Sequence, residues 1–372
     1  MIGRDIVSNN ALNIESPLTF EHERVEFYPT GVRPFRKLIP EPERLIDWQK
    51  DTEVDYSAVS LHRLRNVRVW TDYQVICIYT EDNQIIESLS LYDDNFDFND
   101  IKKIPIRTLS GTTVLVPHLD PYNYYHWVVD TLAFPGVLEL DGVSLDSVDN
   151  LYIHRMENNF QRKHLEALGV DESKLHFLDN GRKQHFVIEE LLVPLFRMDG
   201  GCWSAPWSMG YLRKTYLDKH IAENLLEREP TGKRVYVVRG KARRRIENES
   251  ELIQRLQADG YEIVEPHAMS LEEQAAVFSQ ADYVLGSHGA GLANIVFCKP
   301  DTKLLEFGGH YLTAHFRILA TLNDLDYEAI AAGVDENGKL LSTDYATESR
   351  DLGFTVDIER VISEANSYFY NE

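Results

Sequence analysis

Tyr283-Val284-Leu285-Gly286-Ser287-His288-Gly289-Ala290-Gly291-Leu292-Ala293-Asn294 reads as a buried strand, a glycine-rich turn and the opening of a helix. Glycines at such a turn let the backbone approach a ligand closely, and the free N–H groups at the helix start favour an anion. The turn departs from the dinucleotide fingerprint GxGxxG, because Asn294 stands where the third glycine belongs, and it lacks the lysine of a P-loop. A plain turn does not call for His288. Its imidazole either donates to a phosphate oxygen or a sugar hydroxyl, or caps the loop through its own backbone.

Outward from this turn the chain alternates β and α. Arg234-Val235-Tyr236-Val237-Val238, Tyr261-Glu262-Ile263-Val264 and Lys303-Leu304-Leu305-Glu306-Phe307 read as strands. Asn248 with Glu251, and Ser270 with Glu273, form capping boxes that open two helices, the first stopped by Gly260 and the second running to Gln280. This rhythm predicts a parallel sheet covered by helices, with ligands at the carboxyl ends of its strands. Further upstream, β-branched and aromatic runs at 67–70, 74–79 and 84–86 predict an antiparallel β meander, followed by a strand at 113–116. Residues 122–132 carry apolar side chains at helical spacing up to Pro135. Strands at 151–153, 175–177 and 191–194 then flank a helix at 159–168. An aromatic, glycine-rich loop at 199–206, a helix to about Glu227 and a linker at 228–233 predict two domains, 1–228 and 229–372.

Thirty-eight Lys and Arg against 60 Asp and Glu leave the 372-residue chain at −22, with 43% hydrophobic residues, enough for a packed core. Such a charge repels phosphate backbones and anionic lipid, which disfavours nucleic acid and membrane surfaces as general partners. It fits an ordinary acidic cytosolic protein or a salt-rich cytoplasm. Cys77, Cys202 and Cys298 are too far apart for a CxxC pair and odd in number, which points to a reducing compartment. The first 13 residues lack an apolar h-region, and no run approaches a membrane span, so a cytoplasmic location is expected.

Three groups carry candidate chemistry. Glu306, 20 residues beyond Gly286, sits near the end of an apolar strand, where a carboxylate could accept from both hydroxyls of a ribose. Lys233, Arg234, Arg239, Lys241, Arg243, Arg244 and Arg245 form a cationic island with no acidic residue inside it. It follows a strand and therefore emerges at the same edge as the glycine turn, so Arg239, Arg243 and Arg244 are candidates to hold a diphosphate. His126 and Asp130, four apart on one helix face, are candidates for a general base and its orienting carboxylate; no HxxxH or HExxH pattern accompanies them, and no metal site is expected.

In combination, Tyr236-Val237-Val238-Arg239, Arg244-Arg245-Ile246-Glu247-Asn248-Glu249, Glu273-Gln274, Gly286 to Asn294, Phe297 and Leu305-Glu306-Phe307 resemble the family 61 glycosyltransferases, as does Asn123-Tyr124-Tyr125-His126-Trp127. Many relatives have serine where Val238 stands. The resemblance covers roughly residues 67 to 330 and implies a GT-B architecture, two Rossmann-like domains with parallel sheets facing across a cleft. It implies an inverting, metal-independent transferase that moves a hexosyl or pentosyl group from a nucleotide-diphosphate sugar, expected to be UDP-linked, to a hydroxyl of a glycan or glycoconjugate, as in polysaccharide biosynthesis. No separate cofactor is implied, and an acceptor carried on a membrane would be met transiently. The C-terminal domain would bind the donor through Arg239, Arg243, Arg244, Gly286, His288, Gly289, Ala290, Gly291, Asn294 and Glu306. His126 and Asp130 would act as catalytic residues on the acceptor side, and a last helix at 357–368 would pack back onto the first domain. The rival readings are a nucleotide-sugar epimerase and a non-catalytic nucleotide- or glycan-binding protein.

Overall fold

The computed structural model describes residues 6–8, 21–29, 31–34, 53–72, 75–91, 101, 103–116, 122–154, 158–178, 183–196, 205–217, 221–222, 229–241, 243–341 and 351–370. The expected loop at 199–204, with Cys202, and the expected helix beyond residue 222 up to residue 228 lie outside the described residues. Two compact units result, one of residues 1–30 and 57–204, the other of 31–56 and 205–372. The chain therefore parts at 204/205, ahead of the expected 228/229, and lends residues 31–56 to the C-terminal unit.

The C-terminal unit is built on a five-stranded sheet in the order Glu262–Val264, Arg234–Val237, Tyr283–Ser287, Lys303–Gly308, Asp326–Ala331. Every neighbouring pair is parallel. Parallel strands need crossovers, and the helices Glu249–Ala258, Leu271–Ser279 and His315–Leu322, with the 3₁₀ helix Ala290–Phe297, supply them. Tyr236, Leu285, Leu305, Phe307 and Ile330 bury one face of the sheet against Leu252 and Leu256 and against Val361, Ile362, Ala365 and Phe369 of the last helix, Ile358–Tyr370. The apolar stripe of that helix is thus buried in the core of its own unit. The other face, where Gly286 lies, receives Leu292.

Local signals set most of these helix starts. Ser270 and Glu273 make the expected capping box, with Glu273 N to Ser270 Oγ at 3.2 Å and Ser270 N to Glu273 Oε2 at 2.7 Å. Asn248 departs from its expected box with Glu251. Its side chain pairs with the Val356 backbone instead, at 2.9 Å in both directions, so a long-range contact displaces the local one.

The N-terminal unit carries a nine-stranded sheet that is mixed, where a Rossmann-like parallel one was expected. Ile6–Ser8, Gln84–Ile86, Ile76–Tyr79, Val59–Thr71 and Gln184–Leu195 pair antiparallel in that order, and Glu21–Tyr28 also pairs with Val59–Thr71. From Gln184–Leu195 the sheet turns parallel through Arg107–Leu115, Asn150–Ile153 and Leu175–Phe177. The helix Asn159–Ala167 has a capping box of Asn158 and Gln161. Among the described residues no helix is long and apolar enough to cross a membrane.

Candidate functional site

In a sheet whose strands run 2-1-3-4-5 in chain order, the connections leave strands 1 and 3 in opposite directions, which opens a crevice at their carboxyl ends. Here those strands are Arg234–Val237 and Tyr283–Ser287. The cationic loop leaves the first and the glycine turn leaves the second, so the two strongest sequence signals meet at the switch point.

Each glycine of the turn has a separate steric reason. A Cβ on Gly286 would meet Leu292 Cδ2 at 2.8 Å, and one on Gly291 would meet Val237 Cγ1 at 3.2 Å, so both allow close packing over the sheet. Gly289 is different. Its φ of 175° is ordinary extended backbone, yet an added Cβ would lie 1.9 Å from Arg239 Nη1 and 2.7 Å from Arg239 Cζ. Gly289 is the floor on which the Arg239 guanidinium rests, at the amino end of the helix that half-buried Ala290 opens. Asn294, fully buried, ties the turn down by donating to Gly291 O at 3.0 Å and Gln274 Oε1 at 2.7 Å.

Arg239 is held from behind. Its Nε donates to Arg243 O at 3.0 Å, and Nη2 donates to the same oxygen. Among the described residues no carboxylate forms an ion pair with it. Burial pulls its pKa from 12.5 down to about 10, and the charges of Arg244 and Arg243 act in the same direction against Glu249. The guanidinium stays charged at neutral pH, and an anion placed beside it would relieve both effects. Gly240 at φ 63° and Arg244 at φ 57° turn the loop sharply, and the non-glycine residue in that region stores about 1 kcal/mol of strain. Arg244 lies over the Tyr311 ring at 5.0 Å, and Tyr311 stands edge-on to His288 with centroids 5.2 Å apart.

The cationic island divides at this point. Lys233 pairs with Glu262 at 2.9 Å, while Arg234 donates to Asp259 O at 2.6 Å and lies over Tyr370 at 4.9 Å. Both belong to the amino end of the strand, away from the crevice. Arg245 pairs with Glu247 at 2.8 Å, and exposed Arg243 pairs with Asp351 at 3.5 Å.

Glu306 is not placed to hold a ribose. It is fully buried, one oxygen pairs with His288 Nδ1, and the other accepts from Tyr327 Oη at 2.6 Å. This corrects the ribose expectation: a carboxylate beneath the sheet edge with both oxygens engaged orients the histidine above it. His288 is itself buried.

Sequence reasoning also missed Glu249. Its Oε1 accepts from Arg239 N at 2.6 Å and Tyr236 Oη at 2.9 Å, and its Oε2 accepts from Gly240 N at 2.8 Å. Its place at the end of the Arg244 to Glu249 motif was the available signal. Tyr327 and Tyr311 had none.

In the N-terminal unit, Asn123 Oδ1 accepts from Tyr125 N at 3.0 Å and caps a helix of Tyr124–His126 that widens into a π-helical turn over Trp127–Thr131. Leu132 N reaches Trp127 O, five residues back, at 3.0 Å. Such turns occur often at functional sites. The expected pair forms: His126 Nδ1 lies 2.7 Å from Oδ2 of buried Asp130, which places the proton on Nδ1 and leaves Nε2 as an acceptor. Trp127 Nε1 donates to His164 Nδ1 at 3.1 Å from beneath the same turn. Pro135 lies in the first turn of a new helix, Phe134–Leu140, where its missing N–H costs nothing. Among the described residues no three His, Cys, Asp or Glu side chains group to hold a metal ion.

Residues 124–305 match the family described as Glycosyltransferase 61. A beta-1,2-xylosyltransferase of Oryza sativa subsp. japonica is 40% identical over 63 residues, which are 17% of this chain and 12% of that protein. A beta-1,2-xylosyltransferase of Arabidopsis thaliana is 33% identical over 63 residues, with the same shares. The match thus spans about an eighth of either plant relative.

Proposed function

We propose, for a chain whose residues 124–305 form a family 61 glycosyltransferase domain, an inverting and metal-independent transfer from a nucleotide-diphosphate sugar to a hydroxyl of a glycan or glycoconjugate. The observation that carries this reading is Arg239, a half-buried guanidinium with no carboxylate in an ion pair among the described residues, resting on Gly289 at the switch point. A diphosphate supplies the missing negative charge. Arginine's fork and the free N–H groups of the helix start offer it directed donors.

In the reaction, the acceptor hydroxyl loses its proton to a base as its oxygen bonds to the sugar's anomeric carbon. The bond from that carbon to the diphosphate breaks, and the electron pair leaves with the phosphate oxygen. His126, with Nδ1 held by Asp130, is the proposed base. Arg239, with Arg244 nearby, is the proposed stabiliser of the departing charge. The GT-B organisation, a UDP-linked donor, a cytoplasmic setting and a glycan-building role belong to the same proposal. Because the two plant relatives carry a xylosyl name, a pentose is the first donor sugar to try.

The test is a donor panel of UDP-, GDP-, CDP- and dTDP-sugars, with and without glycan acceptors, on wild type and Arg239→Ala. Free nucleotide released only when acceptor is present, and lost in Arg239→Ala, supports transfer. Interconversion of the donor without acceptor would make the protein an epimerase, and binding without turnover would make it a nucleotide-binding protein.

A further inference from the structure

We infer that Glu306 and Tyr327 are positioning residues that fix His288 as a hydrogen-bond acceptor for a sugar hydroxyl of the donor; this rests on the nucleotide-sugar reading above. With Glu306 accepting here, as it accepts from Tyr327 at its other oxygen, the proton shared between Glu306 Oε1 and His288 resides on Nδ1. Tyr327 holds the second oxygen at 2.6 Å, which locks the carboxylate from both sides in a place with no access to water. A neutral imidazole protonated on Nδ1 presents a lone pair at Nε2.

That nitrogen faces Thr313 Oγ1 at 3.4 Å, and the same hydroxyl lies 2.5 Å from His315 Nδ1. One assignment satisfies the whole chain with both imidazoles neutral. His315 Nδ1–H donates to Thr313, the Thr313 O–H donates to His288 Nε2, and His288 Nδ1–H donates to Glu306. At 3.4 Å the Thr313 bond is long, so Nε2 is weakly engaged and a ligand hydroxyl can compete for it. The neighbours divide the donor between them. Phosphate oxygens only accept, and they suit Arg239 over Gly289 and Arg244 over Tyr311. A sugar hydroxyl can donate, and it suits Nε2 of His288, whose ring stands beside Tyr311. The hydroxyl belongs either to the ribose or to the transferred sugar, and the two have the same chemistry here.

The experiment has a ligand-free arm and a ligand arm. In the first, long-range ¹H–¹⁵N spectra of the full chain, with His288 assigned by its loss in His288→Asn, report which ring nitrogen carries the proton. Protonated Nδ1 and unprotonated Nε2 are expected in wild type. In Glu306→Gln, whose amide can donate as well as accept, the population shifts toward protonated Nε2. An Nε2-protonated or doubly protonated wild-type ring overturns the inference, whether or not any nucleotide binds, and a Glu306→Gln chain that fails to fold leaves this arm intact.

In the second arm, UDP is compared with 2′-deoxy- and 3′-deoxy-UDP, and UDP-sugars are compared with donors lacking one sugar hydroxyl. One missing hydroxyl should weaken wild-type binding about tenfold. The nucleotide set or the sugar set shows which hydroxyl it is. Tyr327→Phe and Glu306→Gln should bind the intact and the deoxy ligand alike. Variants that keep the wild-type discrimination overturn the inference. If wild type binds no nucleotide at all, the functional reading falls, and the spectroscopic arm alone decides the role of Glu306.

Discussion

Gly289→Ala is expected to weaken anion binding at the site while leaving the fold in place. The new Cβ would sit 1.9 Å from Arg239 Nη1, and ordinary contact begins at 3.4 Å, so the guanidinium must retreat by about 1.5 Å. At φ 175° an alanine suffers no backbone penalty, so the strain falls on the Arg239 side chain alone. As it retreats, the Arg239 bonds to Arg243 O are lost, which costs about 1 kcal/mol of stability. The ligand loses more. A charge-assisted, bidentate contact to a phosphate contributes about 1.5 to 3 kcal/mol, so UDP affinity should fall about 10- to 100-fold. Titration calorimetry with UDP on wild type, Gly289→Ala, Arg239→Ala and the double variant reads this directly. Both single changes remove the same contact, so the double variant should be no weaker than Arg239→Ala. Gly210→Ala is the control, because nothing lies within 4 Å of its Cβ direction and its affinity should not change. A Gly289→Ala protein that binds UDP like wild type while Arg239→Ala does not would refute the seating of Arg239 on Gly289.

Arg243→Ala should change UDP affinity far less than Arg239→Ala, because its guanidinium is 72% exposed in a surface pair with Asp351; equal losses by calorimetry would contradict the sorting of the cationic loop. Glu249→Gln leaves one loop N–H facing an amide donor, and should lower stability in urea by about 1 to 3 kcal/mol while weakening UDP binding; an unchanged midpoint and affinity would show that Glu249 does not hold the loop. His164 is lowered by burial from 6.5 to about 4, with the Lys163 charge acting in the same direction. Above pH 6.5 its imidazole is neutral in both folded and unfolded chains, and its contribution is complete. Between about 6.5 and about 4 only the unfolded chain takes up the proton, so stability falls as pH drops, by roughly 3 kcal/mol in all. Urea midpoints at pH 7.5 and 4.5 should therefore differ more for wild type than for His164→Gln, and equal differences would contradict the burial argument.

The parallel sheet was legible because its strands, such as Lys303–Gly308 and Tyr283–Ser287, announce themselves in short apolar runs bounded by turn and cap residues. The meeting of Arg239 with Gly289 was legible for a related reason: both follow strands of one parallel sheet and must share its carboxyl edge. That rule also excludes Lys233 and Arg234, which begin their strand, and counting charge without regard to strand direction obscured it. Glu306 was misread because its burial depends on His288, 18 residues before it, and Tyr327, 21 residues after it, and spacing alone names neither as a partner. Asn248 shows the same limit on a smaller scale, since Val356, 108 residues away, displaces the local cap. The return of residues 31–56 to the C-terminal unit involves Arg33, which donates to Asp324 at 2.9 Å across 291 residues.

The switch-point crevice is proposed to take a nucleoside diphosphate. Its most direct test is the melting temperature of the full chain with UDP, GDP, CDP, dTDP and NAD, each measured in wild type and in Arg239→Ala. A ligand at a hundred times its dissociation constant adds about 2.7 kcal/mol to the folded state, enough to raise the midpoint by several degrees. UDP should raise the wild-type midpoint and leave Arg239→Ala nearly unmoved. No shift with any nucleotide, or an equal shift in both proteins, would contradict it.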